Sequence, residues 1–107
     1  MTTRDQVIAA LKRVFDPEIE DVDIWELGLI YNIQVEPAAA EPSKDVVKLT
    51  MTLTSAGCPA GPKIVSDARD RIMETDGVHE VEVEVVWDPP WTPERMSDVA
   101  RLTLGFL

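Results

Sequence analysis

Eight prolines do most to limit what this chain can become: Pro17, Pro37, Pro42, Pro59, Pro62, Pro89, Pro90 and Pro93. Proline has no amide hydrogen and a fixed φ, so neither a helix interior nor a central strand runs through it. The longer segments left between them each have room for one short helix or a strand or two. No apolar run approaches the length of a membrane span. The 107 residues read as a single domain, 1–107. A chain of this size buries about 65% of its unfolded surface, which supports one core without staples.

Hydrophobic spacing assigns the segments. Thr3 and Gln6 form the capping-box pattern ahead of a helix over 4–15, with Val7, Ile8, Leu11 and Val14 on one stripe. Asp16-Pro17 ends it, because a residue before proline avoids helical backbone. Residues 29–36 alternate, with Leu29, Tyr31, Ile33 and Val35 on one side. Residues 46–54 alternate likewise, with Val47, Leu49, Met51 and Leu53 set against Lys48, Thr50, Thr52 and Thr54. The polar stretch between them suits an antiparallel hairpin. A second helix is expected over 62–75, with Ile64, Val65, Ala68 and Ile72 on one face and Gly77 as its stop signal. Residues 78–87 form the clearest strand, with Val81, Val83, Val85 and Trp87 inward and Glu80, Glu82 and Glu84 outward.

The predicted fold is α/β, a two-layer α+β domain of order α-β-β-α-β. A small mixed sheet is covered on one face by two helices, and a C-terminal helical tail follows. The second strand, second helix and third strand make a parallel crossover. In the tail, Met96, Val99, Ala100 and Leu104 follow a rough helical stripe.

Charge and cysteine usage narrow the function classes. Ten Lys+Arg against twenty Asp+Glu give a net charge of −10, which opposes nucleic acid and anionic membranes as partners. A single thiol and the absence of an apolar leader point to the cytoplasm, and one cysteine cannot form an intrachain disulfide or a zinc finger.

Cys58 is the most informative residue. It lies between a strand end and a helix start, where unpaired amides and the helix dipole favour an anion such as a thiolate. Gly57 and Gly61 permit close backbone approach, while Pro59 and Pro62 stiffen the connection. The plain alternative is a buried, inert filler. No CxxC redox pair is present, and Ile64 stands where a cysteine phosphatase needs arginine. The stretch from Asp16 to Glu26 packs six carboxylates into eleven residues. It fails as a calcium loop, since Asp21 replaces the turn glycine and Leu27 the bidentate acid. It reads as a solvated acidic loop in which Asp23 caps a turn through Ile24, Trp25 and Glu26. His79, the only histidine, belongs at a strand edge. Trp87 and Tyr31 belong in the core, whereas Trp91, between prolines, is the candidate for an exposed contact.

Taken in order, these pieces carry a resemblance. Asp16-Pro17-Glu18, Glu26-Leu-Gly-Leu-Ile-Tyr31, Thr54-Ser-Ala-Gly-Cys-Pro59, Trp87-Asp-Pro-Pro-Trp91, Arg95-Met-Ser and Leu104-Gly-Phe106 resemble the SufT/PaaD-like family. These small metal–sulfur cluster assembly domains are related to the eukaryotic cytosolic iron–sulfur targeting factor. The resemblance spans about residues 5–106. It implies a role in maturing iron–sulfur proteins, with Cys58 as the functional thiolate and Thr54, Gly57 and Pro59 as its supporting loop. Asp16 and Glu18 match the family's acidic turn. Glu26 departs from the family's aspartate before Leu-Gly-Leu. The sequence reaches Leu107 without the cysteine-rich extension frequent in the PaaD-like branch, which favours the stand-alone SufT-like branch.

The implied cofactor is an iron–sulfur cluster, or iron, held transiently. Such clusters want four ligands, so one thiolate per chain retains none stably. Two chains contribute two thiolates, with glutathione or a client completing the shell, which makes a homodimer an expectation. The implied partners are the iron–sulfur assembly machinery and client apoproteins. No catalytic residue is assigned and an enzyme is not expected. Three readings compete with this one: a metal-free adaptor, an accessory of an aromatic-degradation oxygenase, and a thiol enzyme using Cys58 as nucleophile.

Overall fold

The computed structural model describes residues 3–17, 19–54 and 59–105. Its elements are α1 (Arg4–Leu11), β1 (Phe15–Asp16), β2 (Ile19–Asp23), β3 (Ile30–Pro37), β4 (Asp45–Met51), α2 (Gly61–Met73), β5 (Val78–Val85) and α3 (Asp98–Leu104). A short 3-10 turn over Pro93–Arg95 precedes α3. The main sheet has order β3-β4-β5. β3 and β4 run antiparallel, while β4 and β5, joined through α2, run parallel. The expected mixed sheet, hairpin and crossover are all present.

α1 opens with the capping box: the Gln6 amide donates to Thr3 Oγ1 at 3.2 Å, and the Thr3 amide donates to Gln6 Oε1 at 2.8 Å. It stops at Leu11, not residue 15. The Arg13 and Val14 amides take the Ala10 and Leu11 carbonyls, tightening the last turn, so the chain swings early into β1. Val14 is still buried after that turn, beside Val7 and Leu11. α2 runs over 61–73 and turns Ile64, Ala68 and Ile72 inward onto β4 and β5 residues Val47, Leu49, Met51 and Val81. Each of these Val, Leu, Ile and Met side chains contributes about 1.5–3 kcal/mol by leaving water.

Two bulges alter the expected alternation. In β3, Ile30 pairs with Met51 but Asn32 pairs with Thr50, so Tyr31 is the extra residue. Leu29, Tyr31, Ile33 and Val35 therefore do not share one face. Leu29 continues the ladder opposite Thr52, whose amide donates to the Leu29 carbonyl at 2.8 Å. Thr52, expected to point into water, is fully buried instead. In β5, Asp45 pairs with Val78 and Val46 with Glu80, leaving His79 as the extra residue. Val78 and Val81 can then both face the core although three positions apart.

Trp87 corrects a further expectation. β5 ends at Val85, and Trp87 is 47% exposed, not packed inward. The acidic stretch is likewise more than a solvated loop, since β1 and β2 form a two-stranded antiparallel ribbon. In the tail, Met96 and Ala100 are buried as the stripe required, but Val99 is 66% exposed. α3 is capped by Ser97, whose hydroxyl accepts from the Ala100 amide, and ends at Gly105 with a left-handed φ. Ahead of α3, the Glu94 carboxyl titrates below its ordinary value, chiefly through a backbone hydrogen bond and then the Thr92 hydroxyl.

Thr52 Oγ1 is buried with no hydrogen-bond partner among the described residues. A buried unpaired hydroxyl costs about 1–3 kcal/mol in lost hydration. Thr52→Val, nearly the same shape, is therefore expected to raise the melting temperature by roughly 4–8 °C, with thermal unfolding followed by circular dichroism as the check.

Candidate functional site

The connection from β4 to α2 is held at both ends. On the strand side, Thr52 is tied to β3 through its amide, and Leu53 is almost fully buried. On the helix side, the Ile64 amide closes the first turn on the Ala60 carbonyl, with Pro62 in that turn. The two ends touch at Gly61, where an added Cβ would lie 2.8 Å from Leu53 Cδ1. Thr54 is half-buried and Pro59 exposed. Gly57 and Cys58, with Ser55 and Ala56, lie outside the described residues.

The electrostatics at the start of α2 are unusually bare. Its N-cap residue is Ala60, no side chain caps the helix, and the first turn holds no acid. Lys63 in that turn pairs with Asp67 at 2.7 Å. Among the described residues, neither the cap nor the first turn of α2 supplies a carboxylate to compensate the positive end of the dipole.

The acidic ribbon approaches the same end of the molecule. Phe15 and Pro17 line a cleft of about 410 Å³ together with Lys63, Asp67 and Arg71 of α2. Asp16 is buried within β1. Glu18 lies outside the described residues. As the sequence implied, Asp23 caps the following turn: its Oδ1 accepts from the Trp25 amide at 3.0 Å and the Glu26 amide at 3.1 Å. Glu26 is partly exposed, with Lys12 Nζ 3.9 Å away.

Trp91 sits differently from the exposed contact expected of it. It is half-buried, and its indole N–H donates to the Leu27 carbonyl at 2.7 Å. The Tyr31 hydroxyl donates to the Pro89 carbonyl, and the Arg95 guanidinium lies 4.6 Å from the Tyr31 ring centre. Together these contacts lay residues 89–97 across the Leu27–Tyr31 segment. Trp91→Phe keeps a six-membered aromatic ring but loses the pyrrole half of the indole and, with it, the hydrogen bond to the Leu27 carbonyl. It is expected to cost about 1 kcal/mol and lower the melting temperature by roughly 4–8 °C.

His79 is on β5, an edge strand, with Nδ1 3.5 Å from Glu41 Oε2. It lies beside Asp45 and Val46 at the start of β4, whereas the Cys58 connection leaves the far end of that strand. A strand of this length spans about 20 Å, so His79 and the described start of that connection at Thr52 and Leu53 lie toward opposite ends of β4. Among the described residues no group of three His, Cys, Asp or Glu side chains could hold a metal ion. No described helix is long and apolar enough to cross a membrane.

Sequence patterning missed the exposed Trp87 and the close approach of Gly28 to the Arg95 main chain, where an added Cβ would lie 2.1 Å from the Arg95 carbonyl oxygen. The Asp-Pro-Pro that follows Trp87 was the available signal, since prolines end a strand early.

Fold and connection define a class: a small α+β domain with its one cysteine, in sequence, between β4 and α2, and an acidic ribbon lining a cleft with α2. The comparisons agree on what that class is. Residues 4–85 match the family model described as iron-sulfur cluster assembly protein, and the chain belongs to that family. It is 38% identical over 102 residues to the Fe-S protein maturation auxiliary factor YitW of Bacillus subtilis (strain 168), covering 95% of this chain and 93% of that one. It is 40% identical over 92 residues to the Fe-S protein maturation auxiliary factor SufT of Staphylococcus aureus (strain USA300), covering 86% of this chain and 97% of the other. Among solved structures, the domain of unknown function DUF59 from Bacillus anthracis superposes with a TM-score of 0.81. It shares 42% identity over 96% of this chain and 92% of that one.

Proposed function

We propose that this protein is a non-catalytic maturation factor that helps deliver iron–sulfur clusters to client apoproteins in the cytoplasm, with Cys58 as the thiolate that engages the cluster. The observation that carries the proposal is the near end-to-end similarity to Fe-S protein maturation auxiliary factors. The uncapped, acid-free start of α2 supports it physically: a helix N-terminus without a carboxylate favours an ionised sulfur nearby.

One thiolate per chain suits handing a cluster on. A closed shell of four thiolates would retain it. The cluster is cargo here, shared between two chains or between this chain and a client. Thr54, Gly57 and Pro59, neighbours of Cys58 in sequence, are the residues assigned to support it. The exposed Asp21 of the acidic ribbon, the partly exposed Glu26 in the turn that follows it and the solvent-facing part of Trp91 present the surface to assembly proteins and clients.

A cluster-transfer assay tests this. An apo-enzyme that requires a [4Fe–4S] cluster is mixed anaerobically with ferrous iron, sulfide and the protein. The wild type should speed recovery of client activity and Cys58→Ser should not. Equal acceleration by both would overturn the role of Cys58 and leave an adaptor.

A further inference from the structure

The outer edge of β5 pairs with no strand among the described residues. Beside it runs an open groove of about 660 Å³ between β5 and α2, floored by Leu53 and Gly61 and walled by Val65, Val85 and Trp87, with Arg69 at its rim. The opposite face of the same strand carries Glu80, Glu82 and Glu84, all exposed. Glu82 stands in register with Lys48, but Lys48 Nζ lies 3.4 Å from Glu36 Oε2. Among the described residues no cation comes within ion-pair distance of the three β5 glutamates.

These two faces say what the edge accepts. A strand laid along β5 continues the pleat, so its side chains fall alternately on the groove side and the glutamate side. The groove side rewards apolar residues, because Trp87 and Val65 are then withdrawn from water. The other side rewards cations, since opposite charges on neighbouring strands stabilise a pair and like charges oppose it. A second copy pairing through β5 would set glutamate rows against each other, so self-pairing at this edge is disfavoured.

We propose that the β5 edge and its groove bind an extended segment of a partner polypeptide that alternates apolar and basic side chains, the apolar ones entering the groove against Trp87 and the basic ones lying beside Glu82 and Glu84. This surface goes beyond the cluster-delivery reading and does not depend on Cys58.

The probe is a short synthetic peptide alternating valine and lysine. Its controls are a peptide of the same composition with the valines and lysines in separate blocks, and an alternating valine–glutamate peptide. Binding is read by tryptophan fluorescence and calorimetry, on wild type and on Cys58→Ser, which should behave alike. The alternating valine–lysine peptide is expected to bind about tenfold or more tightly than either control, a difference of about 1.4 kcal/mol. The Glu82→Lys, Glu84→Lys double variant, which changes only exposed side chains, should reverse the preference toward the valine–glutamate peptide. Trp87→Ala should weaken binding several-fold with unchanged circular dichroism. Equal affinity for the block peptide would reduce the effect to bulk charge attraction and overturn the proposal. So would an unreversed preference in the double variant, or absence of binding at millimolar peptide.

Discussion

Replacing Gly28 with alanine will unfold most of what holds the tail in place. Gly28 has φ +78°, in the left-handed region where a Cβ alone costs about 1–2 kcal/mol. The larger penalty is contact with main chain. The added carbon would lie 2.1 Å from the Arg95 carbonyl oxygen and 2.6 Å from its carbon. No rotamer change relieves a clash with backbone, so residues 89–97 must lift. Lifting breaks the hydrogen bonds that the Ser97 amide donates to the Glu26 carbonyl and the Trp91 indole to the Leu27 carbonyl, and it uncovers Met96 and Ala100. A loss of about 3–5 kcal/mol is expected, in the range reserved for overpacking and broken networks. At roughly 4–8 °C per kcal/mol, the melting temperature should fall by about 15 °C or more. A drop within about 4 °C of wild type would mean that the tail does not seat on Gly28 as described.

The second large effect is functional and leaves stability alone. In a strain carrying Cys58→Ala, the activities of several unrelated iron–sulfur enzymes should fall together, several-fold, under high demand for clusters. The amount of the protein and its melting temperature should match wild type. The breadth of the loss is the informative part. A single affected enzyme would indicate a dedicated accessory role, and unaffected enzymes would favour a metal-free adaptor. Substitutions on the acidic ribbon, such as Asp21→Lys, should impair the same enzymes through docking while leaving the thiol in place.

Much of the main layer was legible because its signals are local. The capping box at Thr3 and Gln6, the alternation of β4 and the stripe of Ile64, Ala68 and Ile72 each follow from periodicities that tertiary context did not override. The Asp23 cap was legible for the same reason, since an aspartate oxygen reaches its neighbours' amides without help from elsewhere. What failed depended on distant partners. Tyr31 and His79 are bulged because of register with β4, and nothing in their own segments announces an unpaired residue. β1 and β2 are too short and too acidic to read as strands; Asp16 is buried because the ribbon folds over it. Trp91 looked exposed between prolines because its partner, the Leu27 carbonyl, is sixty-four positions away. The site divides the same way. The strand-to-helix position of the thiol loop could be read from sequence, whereas the approach of Pro17 to Lys63 across one cleft needed the fold.

The most direct measurement is an anaerobic titration of the purified protein with ferrous iron and sulfide, followed by visible absorption and iron-to-protein ratio, beside Cys58→Ser. Direct engagement of cargo by the sulfur predicts a thiolate-to-iron charge-transfer band in the wild type that a competing apo-client removes, and no band in the variant. Identical spectra from the two proteins, with or without client, would contradict it.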